Sequence, residues 1–245
     1  MVKWISHRGE SYDAPENTLA AFRLSQQRGT DGMECDVHLS ADGFVVVSHD
    51  AATFRMGSKN LQIGSSTLEE LRAIQVGGGF SRICPDEKIP LLSETFAYLG
   101  KGREYYIELK GNDPALIGAV KSVVEESGVA PEQIVFISFS KALISGMKKA
   151  MPQCRALWLD DLNRAYGRVT AADLIRELKE LGVDGVDAWS RADLDTELVE
   201  ALHREGFTFA VWTVDNPFMA EWLVSLGVDA VTSNRAGLLK QWFSL

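Results

Sequence analysis

The stretch YYIELKGNDPALIGAVKSVVEESGVAPEQIVFISF, residues 105–139, contains a strand, a helix and a second strand in succession. Residues 105–109 and 134–139 are short runs rich in aromatic and β-branched side chains, which is typical of buried strands. Between them Asp113-Pro114 starts a helix and Gly128 ends it, because proline is favoured in the first turn of a helix and glycine just beyond the last. A strand, a helix and a strand in this order predict two parallel neighbours in one sheet.

The same rhythm runs through the rest of the chain. Apolar runs that predict strands lie at residues 2–6, 33–39, 105–109, 134–139, 155–159, 184–189, 208–214 and 229–233. The helices between them begin at capping residues such as Asn17, Ser140 and Thr170, and end at glycines such as Gly29 and Gly182. Eight such units predict an α/β fold of the (β/α)8 barrel type. A doubly wound open sheet is the alternative, but the glycine-rich dinucleotide fingerprint that would favour it is missing after the first strand.

One segment departs from this rhythm. Residues 44–49 predict an extra strand that pairs with the second strand as a hairpin. Residues 51–101 are then too long for an ordinary connection. Thr67 and Glu70 predict a capping box for a short helix within this segment. We therefore expect a single barrel domain over residues 1–245, with residues 51–101 as a short insertion over the barrel mouth.

The composition limits the classes of function. The 245 residues include 34 acids and 25 bases, for a formal charge of −9, which argues against a broad nucleic-acid surface but leaves a small anionic substrate open. No apolar stretch reaches the ~18 residues of a membrane span, and the N-terminal residues lack the features of a signal peptide. The 3 scattered cysteines indicate reduced thiols, and no zinc-binding pattern is present. We expect a cytoplasmic protein without a membrane span or a nucleic-acid partner; the oligomeric state is not readable.

Carboxylates recur inside strands that are otherwise apolar. Glu34 and Asp36 alternate in the second strand and therefore share one of its faces. Glu108 lies in the strand of residues 105–109. Burying carboxylates without partners is costly, and a bound cation is the simplest way to offset that cost. The three acids supply the hard oxygen ligands that suit Mg²⁺ or Ca²⁺, with Mn²⁺ as a further option.

Histidines and basic residues lie at the same strand ends. His7 follows the first strand and His49 ends the hairpin strand, and both suit proton transfer. Arg8 and Lys110 suit a phosphate anion, arginine as a planar fork and lysine as a point charge. Active sites of (β/α)8 barrels lie at the carboxyl ends of the strands. The pattern therefore predicts one metal-dependent phosphodiester site.

Less specific interpretations exist for several of these residues. Glu34 and Asp36 could form salt bridges at the barrel rim, although no basic residue lies in their own strand. His38 is predicted to lie past the strand end in a solvated turn, and His203 on a helix surface. Cys35 is expected to face the helical layer as a small apolar side chain.

The order of motifs along the chain resembles the glycerophosphodiester phosphodiesterase family. The matching segments are His7-Arg8-Gly9, Glu16-Asn17-Thr18, Glu34-Cys35-Asp36-Val37, Asp42-Gly43, His49-Asp50, Arg55, residues 89–94, Glu108-Leu109-Lys110, residues 211–214 and residues 227–233. The resemblance covers nearly the whole chain in the same order. It implies a (β/α)8 barrel with a small insertion. It also implies hydrolysis of glycerophosphodiesters, such as glycerophosphocholine, to glycerol 3-phosphate and an alcohol.

The resemblance also implies roles for individual residues. Glu34, Asp36 and Glu108 match the family's ligands to a divalent cation. His7 and His49 match its catalytic pair of general acid and base, without an assignment of which is which. The implied substrate contacts are Arg8, Lys110, Trp212, Glu16 and Asn17. The nucleophile is either water or the neighbouring hydroxyl of the substrate's glycerol.

Two departures from the family pattern, and three other functions, stay open. Residues 54–57 read Phe-Arg-Met-Gly where the family often has an Arg-Thr-Thr-like stretch, and residues 232–236 read Thr-Ser-Asn-Arg-Ala where it often has Thr-Asp and a following Pro. One alternative is a related barrel enzyme acting on lysophospholipids or phosphoinositides, and another is a metal-dependent hydrolase or lyase for a different anion. The third is a binding protein without activity, against which the intact set of acids and histidines argues.

Overall fold

The computed structural model describes residues 1–80, 82–164 and 167–244. The strands are β1 (Lys3–Ser6), β2 (Gly32–Leu39), β3 (Val45–Val47), β4 (Glu104–Leu109), β5 (Ile134–Ser138), β6 (Arg155–Asp160), β7 (Asn163–Arg164), β8 (Gly167–Arg168), β9 (Gly185–Trp189), β10 (Thr208–Trp212) and β11 (Ala230–Ser233). All but β3, β7 and β8 pair in parallel with their neighbours, and β1 pairs with both β11 and β2 to close the ring. The predicted barrel is confirmed. β3 pairs antiparallel with the end of β2, as the predicted hairpin requires.

The helices alternate with these strands. They are α1 (Leu19–Gln27), α2 (Leu68–Ala73), α3 (Leu92–Thr95), α4 (Ala115–Ser127), α5 (Lys141–Ala150), α6 (Ala171–Leu181), α7 (Thr196–Arg204), α8 (Pro217–Ser225) and α9 (Ala236–Trp242). Ser140 and Thr170 cap α5 and α6 as predicted, each accepting a hydrogen bond from a backbone N–H of the first turn. Gly182 ends α6 in the left-handed conformation that glycine adopts readily. Within the described part of the chain, no helix combines the length and apolarity that crossing a bilayer requires.

The start of α1 differs from the prediction. The N-cap is Thr18, whose side chain accepts a hydrogen bond from the N–H of Ala21. Asn17 instead has a φ of 57° and donates its amide N–H to Asp36 Oδ2 at 2.8 Å. Asparagine suits both positions in isolation, because its short side chain bonds to backbone readily. The tertiary contact to Asp36 decides between them.

The segment of residues 51–101 has two parts with different places in the fold. The first contains α2, capped by the predicted box of Thr67 and Glu70, and buries its own small apolar cluster beside β3. The second contains α3 and a 3-10 turn over Phe96–Tyr98, which pack against α1 and α4. This second part supplies the helix that follows the second barrel strand. The prediction of one insertion spanning all of residues 51–101 over the mouth is therefore wrong for the second part.

Side chains alternate between two packing layers. On β2, Met33 and Cys35 pack in the layer between barrel and helices, so Cys35 lies where it was expected. Glu34 and Asp36 therefore face the barrel interior. The interior is filled by one apolar cluster, which consists of Ile5, Tyr106, Val135, Ile137, Leu157, Leu159, Ala210 and Ala230. Glu34, Asp36 and Glu108 lie beside this cluster, towards the carboxyl ends of β2 and β4.

Candidate active site

The His7-Arg8-Gly9 segment is a tight turn at the end of β1. Arg8 has a φ of 55° and Gly9 a φ of 77°. A Cβ atom at Gly9 would lie 2.5 Å from the backbone carbonyl carbon of Ala21 in α1, so glycine is required there by space as well as by conformation. The turn directs the N–H of Arg8 to Glu34 Oε2, 2.8 Å away. The motif thus joins the first strand to the acid cluster of the second.

Three buried carboxylates meet at the carboxyl ends of β2 and β4. One ligand oxygen from each of Glu34, Asp36 and Glu108 can be chosen so that all lie within 4.8 Å of one another. Burial and the charge of Asp36 raise the pKa of Glu34 well above its usual range, and raise the pKa of Glu108 to about 8. Three negative charges are therefore not sustained here by the protein alone. The donor set has the composition of a site for a hard divalent cation.

Asp36 differs from the other two acids because it has cationic partners. Lys110 Nζ lies 3.1 Å from Asp36 Oδ1, and Arg8 Nε lies 3.2 Å from Oδ2. Although burial alone would raise it, Lys110 and Arg8 hold the pKa of Asp36 well below its usual range. The salt-bridge interpretation of the sequence therefore applies to Asp36, with cations that come from the ends of the two adjacent strands and not from β2.

An alternating chain of charges extends from this cluster to His49. Arg8 Nη1 donates to Glu16 Oε1 at 2.9 Å. Arg55 donates to both oxygens of Glu16 at 2.7 Å, and its Nε donates to Asp50 Oδ2 at 2.8 Å. Asp50 Oδ1 in turn lies 2.7 Å from His49 Nδ1. Residues 51–57 thus reach the site through Arg55. This part of the predicted insertion does lie at the barrel mouth.

His7 has a neutral hydrogen-bond partner. Its Nδ1 lies 2.8 Å from Asn234 Oδ1. The amide nitrogen of Asn234 donates to Asp215 Oδ2 at 2.6 Å, which fixes the orientation of the amide and leaves its oxygen to accept. His7 Nδ1 therefore carries the proton, and Nε2 is the free acceptor; this tautomer is assigned from the network of partners. Burial lowers the pKa of His7 to about 4, so the ring is neutral at pH 7.

His49 has an anionic partner. Asp50 accepts from its Nδ1, and the pKa of Asp50 is lowered because Arg55 and His49 outweigh its partial desolvation. Desolvation lowers the pKa of His49, while Asp36 and Asp50 oppose that effect. The two histidines therefore differ in a way that the sequence did not reveal. One ring is oriented by an amide and the other by a carboxylate.

The remaining histidines lie outside this arrangement. His38 belongs to β2, is partly buried, and places Nε2 3.2 Å from the backbone oxygen of His49. Its predicted position in a solvated turn beyond the strand is wrong, because β2 extends to Leu39 to pair with β3. His203 lies in α7 and pairs with Asp229 at the surface, as predicted.

An aromatic wall faces the charged residues across one cavity. Trp212 and Phe139 contact edge to face, with ring centroids 5.6 Å apart. Both line the cavity, together with the two histidines, Arg8 and Lys110. Trp212 thus lies where a substrate contact was expected. Glu16 and Asn17 line an adjoining cavity that shares His49 with this one, and their contacts are to Arg8, Arg55 and Asp36.

The sequence-based candidates left out several residues of this site, among them Asp50, Asn234, Asp215 and Asp187. Asp50 carried a signal, since it directly follows His49. Asn234 and Asp215 follow two different strands and meet at the barrel end, so spacing along the chain does not relate them. Asp187 is an acid within the apolar run of residues 184–189, the same pattern that singled out Glu34 and Asp36. It faces the cavity from β9.

Comparisons with known proteins agree with this architecture. The model of the glycerophosphoryl diester phosphodiesterase family matches residues 7–238. A glycerophosphodiester phosphodiesterase from Caldanaerobacter subterraneus subsp. tengcongensis is 30% identical over 251 residues, which cover 94% of this chain and 93% of that protein. A Bacillus subtilis glycerophosphodiester phosphodiesterase is 25% identical, with coverage of 94% and 82%.

Solved structures give the same result. A phosphodiesterase from Oleispira antarctica, in complex with the product sn-glycerol-3-phosphate, superposes with a TM-score of 0.89 at 26% identity and covers 98% of this chain and 96% of that one. A glycerophosphodiester phosphodiesterase from Thermotoga maritima superposes with a TM-score of 0.78 at 26% identity, covering 99% and 98%. The ordered motifs and the closed barrel agree with the family match, which spans nearly the whole chain. This chain therefore belongs to the glycerophosphoryl diester phosphodiesterase family and is a phosphoric diester hydrolase.

Proposed function

We propose that this protein, acting as one domain over residues 1–245, hydrolyses glycerophosphodiesters to glycerol 3-phosphate and an alcohol, and that the reaction depends on a divalent cation. The observation that carries the proposal is the meeting of Glu34, Asp36 and Glu108 in one buried cluster. Carboxylates brought so close are costly unless a cation joins them. The cluster lies at the same strand ends as the histidines and basic residues that phosphodiester chemistry needs.

The three acids would hold Mg²⁺, Ca²⁺ or Mn²⁺, all of which accept oxygen ligands. When bound, such a cation supplies positive charge that stabilises the phosphodiester and the charge that develops on it. The pKa values of Glu34 and Glu108 are raised, so ionising these acids is costly when no positive charge is added. A bound cation would favour the ionised form of both groups, which supports this assignment.

Arg8 and Lys110 would bind the phosphodiester. Both side chains border the cavity, and each forms an ion pair with Asp36. A phosphate presents anionic oxygens of the same kind, and arginine can bind two of them at once. Glu16 and Arg55 hold Arg8 from the other side, so that the guanidinium is oriented before the substrate arrives.

The partners of the two histidines support a division of roles between them. His7 acts as the general base: it is neutral, and Asn234 keeps the proton on Nδ1 and the lone pair on Nε2. His49 acts as the general acid, because Asp50 stabilises its protonated ring. Because the pKa of His49 is lowered in the free protein, the negative charge of the bound phosphodiester would be needed to keep the ring protonated. His7 removes a proton from the attacking oxygen, which forms a new bond to phosphorus as the bond to the alcohol oxygen breaks, and His49 protonates the departing alkoxide. Attack by water gives glycerol 3-phosphate directly. Attack by the neighbouring glycerol hydroxyl gives a cyclic phosphate, which water must then open.

Trp212 would pack its indole against the carbon skeleton of the substrate. The ring is held by Phe139 and by a hydrogen bond of 3.1 Å from its Nε1 to the backbone oxygen of Asp187. A rigid aromatic surface of this kind orients a small apolar group at little cost in conformational entropy. Asn17 would contribute by orienting Asp36, and Glu16 by orienting Arg8.

The proposal is tested by the release of glycerol 3-phosphate from glycerophosphocholine before and after treatment with EDTA. We expect release to stop with EDTA and to return when Mg²⁺, Ca²⁺ or Mn²⁺ is added. Activity that EDTA leaves unchanged would remove the cation from the proposal. No release under any condition would direct attention to lysophosphatidylcholine, which the same assay can test.

A further inference from the structure

Asp187 is a buried acid without the compensation that the other acids receive. It faces the barrel interior from β9, is 1% exposed and lines the active-site cavity. Its neighbours in register are Leu159 on β6 and Ala210 on β10. Among the residues that the structure describes, none gives its side chain a hydrogen bond or an ion pair, and Oδ1 is buried without a partner.

Thr232 repeats this pattern two strands away. It faces the interior from β11, is 2% exposed and lines the same cavity. Its Oγ1 is also buried without a hydrogen-bond partner in the described part of the chain. Ala210, the neighbour of Asp187 in register on β10, is itself in register with Ala230, which precedes Thr232 by two residues on β11. Two polar groups without partners thus border one end of a cavity whose other side holds the charged residues.

A purely structural role does not account for this arrangement. A buried polar group without a partner is destabilising, and an apolar side chain of similar size would avoid that cost. Glu104, the buried acid at the amino end of the barrel, shows the usual solution, because Lys3 and Arg155 both pair with it. Unsatisfied groups that border a ligand cavity are instead those that a ligand can satisfy.

We propose that Asp187 and Thr232 form a subsite for the hydroxyl groups of the glycerol portion of the substrate. The proposal rests on the proposed function and names which end of the substrate lies deepest in the barrel. Trp212, Ile137 and Leu159 line the cavity beside this subsite and would pack against the carbon skeleton.

The chemistry of the two groups fits a hydroxyl. Burial raises the pKa of Asp187 to about 8, so its carboxyl group is mostly neutral at pH 7 and can both donate and accept. The threonine hydroxyl has the same dual capacity, and so has the hydroxyl of a polyol. A cationic head group would instead require an ionised carboxylate, which no neighbouring cation favours at this position.

The experiment measures the affinities of two probes, sn-glycerol 3-phosphate and inorganic phosphate, by isothermal titration calorimetry at pH 7. The proteins are the full-length wild type, Asp187→Leu, Asp187→Asn and Thr232→Val. Inorganic phosphate is the matched control, because it has the anion but lacks the glycerol. Asparagine keeps one donor and one acceptor, whereas leucine keeps neither.

We expect Asp187→Leu to weaken binding of sn-glycerol 3-phosphate by about tenfold or more, since a site built for a hydroxyl leaves a buried substrate group unpaired when its partner is lost. Thr232→Val should weaken it roughly threefold to tenfold, the usual worth of one neutral hydrogen bond. Asp187→Asn should stay close to the wild type. Inorganic phosphate should bind all four proteins alike.

Three results would overturn the subsite. One is unchanged affinity for sn-glycerol 3-phosphate in Asp187→Leu, and another is an equal loss for both probes, which indicates a structural role. The third is an increase in the KM for glycerophosphocholine with unchanged binding of sn-glycerol 3-phosphate, which would place the head group there. If Asp187→Leu does not fold, Thr232→Val decides, because unchanged affinity for sn-glycerol 3-phosphate in that variant would also overturn the subsite. Failure of the proposed function is seen separately, as a wild type that turns over no glycerophosphodiester.

Discussion

The two sides of the active-site cavity treat buried acids in opposite ways. On the side of β1, β2 and β4, Asp36 lies between Arg8 and Lys110, and the remaining carboxylates form the candidate cation site. On the side of β5, β6, β9 and β10, Asp187 lies among apolar and aromatic side chains. The pKa of Asp36 is held low by its cations, whereas burial raises the pKa of Asp187 to about 8.

Burial alone therefore does not define the role of an acid in this cavity. A carboxylate with cationic neighbours stays charged and suits a metal or a phosphate, whereas a carboxyl group in apolar surroundings becomes neutral and suits a hydroxyl. Under the proposed function, the charged side would therefore bind the phosphate and the apolar side the alcohol portions of the substrate. The following predictions test that division, beginning with the largest expected effect.

Removing either histidine tests the charged side most directly. We expect His7→Ala and His49→Ala each to lower kcat by about 10²–10⁴-fold, the usual contribution of general acid–base catalysis. His203→Ala is the matched control, because this residue lies on the surface of α7. Steady-state kinetics with glycerophosphocholine measure the effect. Turnover within tenfold of the wild type in His49→Ala would remove it from the mechanism.

Neutralising a carboxylate of the cluster should weaken the cation site. Glu108→Gln and Glu34→Gln are expected to lower activity by more than about a hundredfold at a limiting cation concentration, because even partners one step removed from a metal are worth 10–100-fold. Excess cation should restore part of the loss. Glu104→Gln, a buried acid at the other end of β4, serves as the control. Equal cation requirements in Glu108→Gln and Glu104→Gln would contradict the assignment.

Asn234 allows the role of His7 to be tested without removing the ring. Asn234→Asp places a carboxylate beside Nδ1, which favours the protonated imidazole and should raise the pKa of His7 from about 4. The base is lost as pH falls through its pKa, so the acidic limb of the kcat/KM profile should move to higher pH. Asn234→Leu should lower kcat roughly tenfold to a hundredfold through misorientation. An acidic limb that stays in place in Asn234→Asp would argue against His7 as the base.

Trp212 tests the aromatic side. Trp212→Ala should raise the KM for glycerophosphocholine by several-fold and change kcat less, because packing against a substrate binds its ground and transition states alike. Trp212→Phe keeps a ring and should recover most of the affinity. Trp242, an exposed tryptophan at the end of α9, provides the control substitution. If kcat falls while KM stays constant, the indole does more than pack.

The smallest effect concerns stability. The carboxyl group of Asp187 keeps its proton in the folded protein up to about pH 8 and loses it near pH 4 when unfolded. Between these values the folded state binds more protons, so the free energy of unfolding contributed by this group falls as pH rises. The stability of Asp187→Asn relative to the wild type should therefore increase from pH 5 to pH 8. Urea denaturation without ligands measures this, and an identical difference at both pH values would refute the neutral carboxyl group.

Much of this site was predictable because its residues lie on strands of a recognisable period. The alternation of Glu34 and Asp36 with apolar residues fixed which face they share, and the barrel rule placed that face with His7 and Glu108. The hairpin that precedes His49 was visible in the same way, although β3 ends at Val47 and not at His49 as predicted. Predictions were wrong where a tertiary contact competes with a local preference, as for Asn17 at the start of α1, and where one segment serves two layers, as in residues 51–101.

The eight strand–helix units, the acids that alternate with apolar residues in their strands, and the histidine that follows the first strand were readable from the sequence, since each follows from periodicity and residue type within a short window. The partners of these groups became visible only in the folded barrel. The cations of Asp36 come from adjacent strands, Asn234 and Asp50 give the histidines different partners, and Asp187 has none among the residues described. Charge state and tautomer depend on neighbours within a few ångströms, and barrel closure brings those neighbours together from positions far apart along the chain.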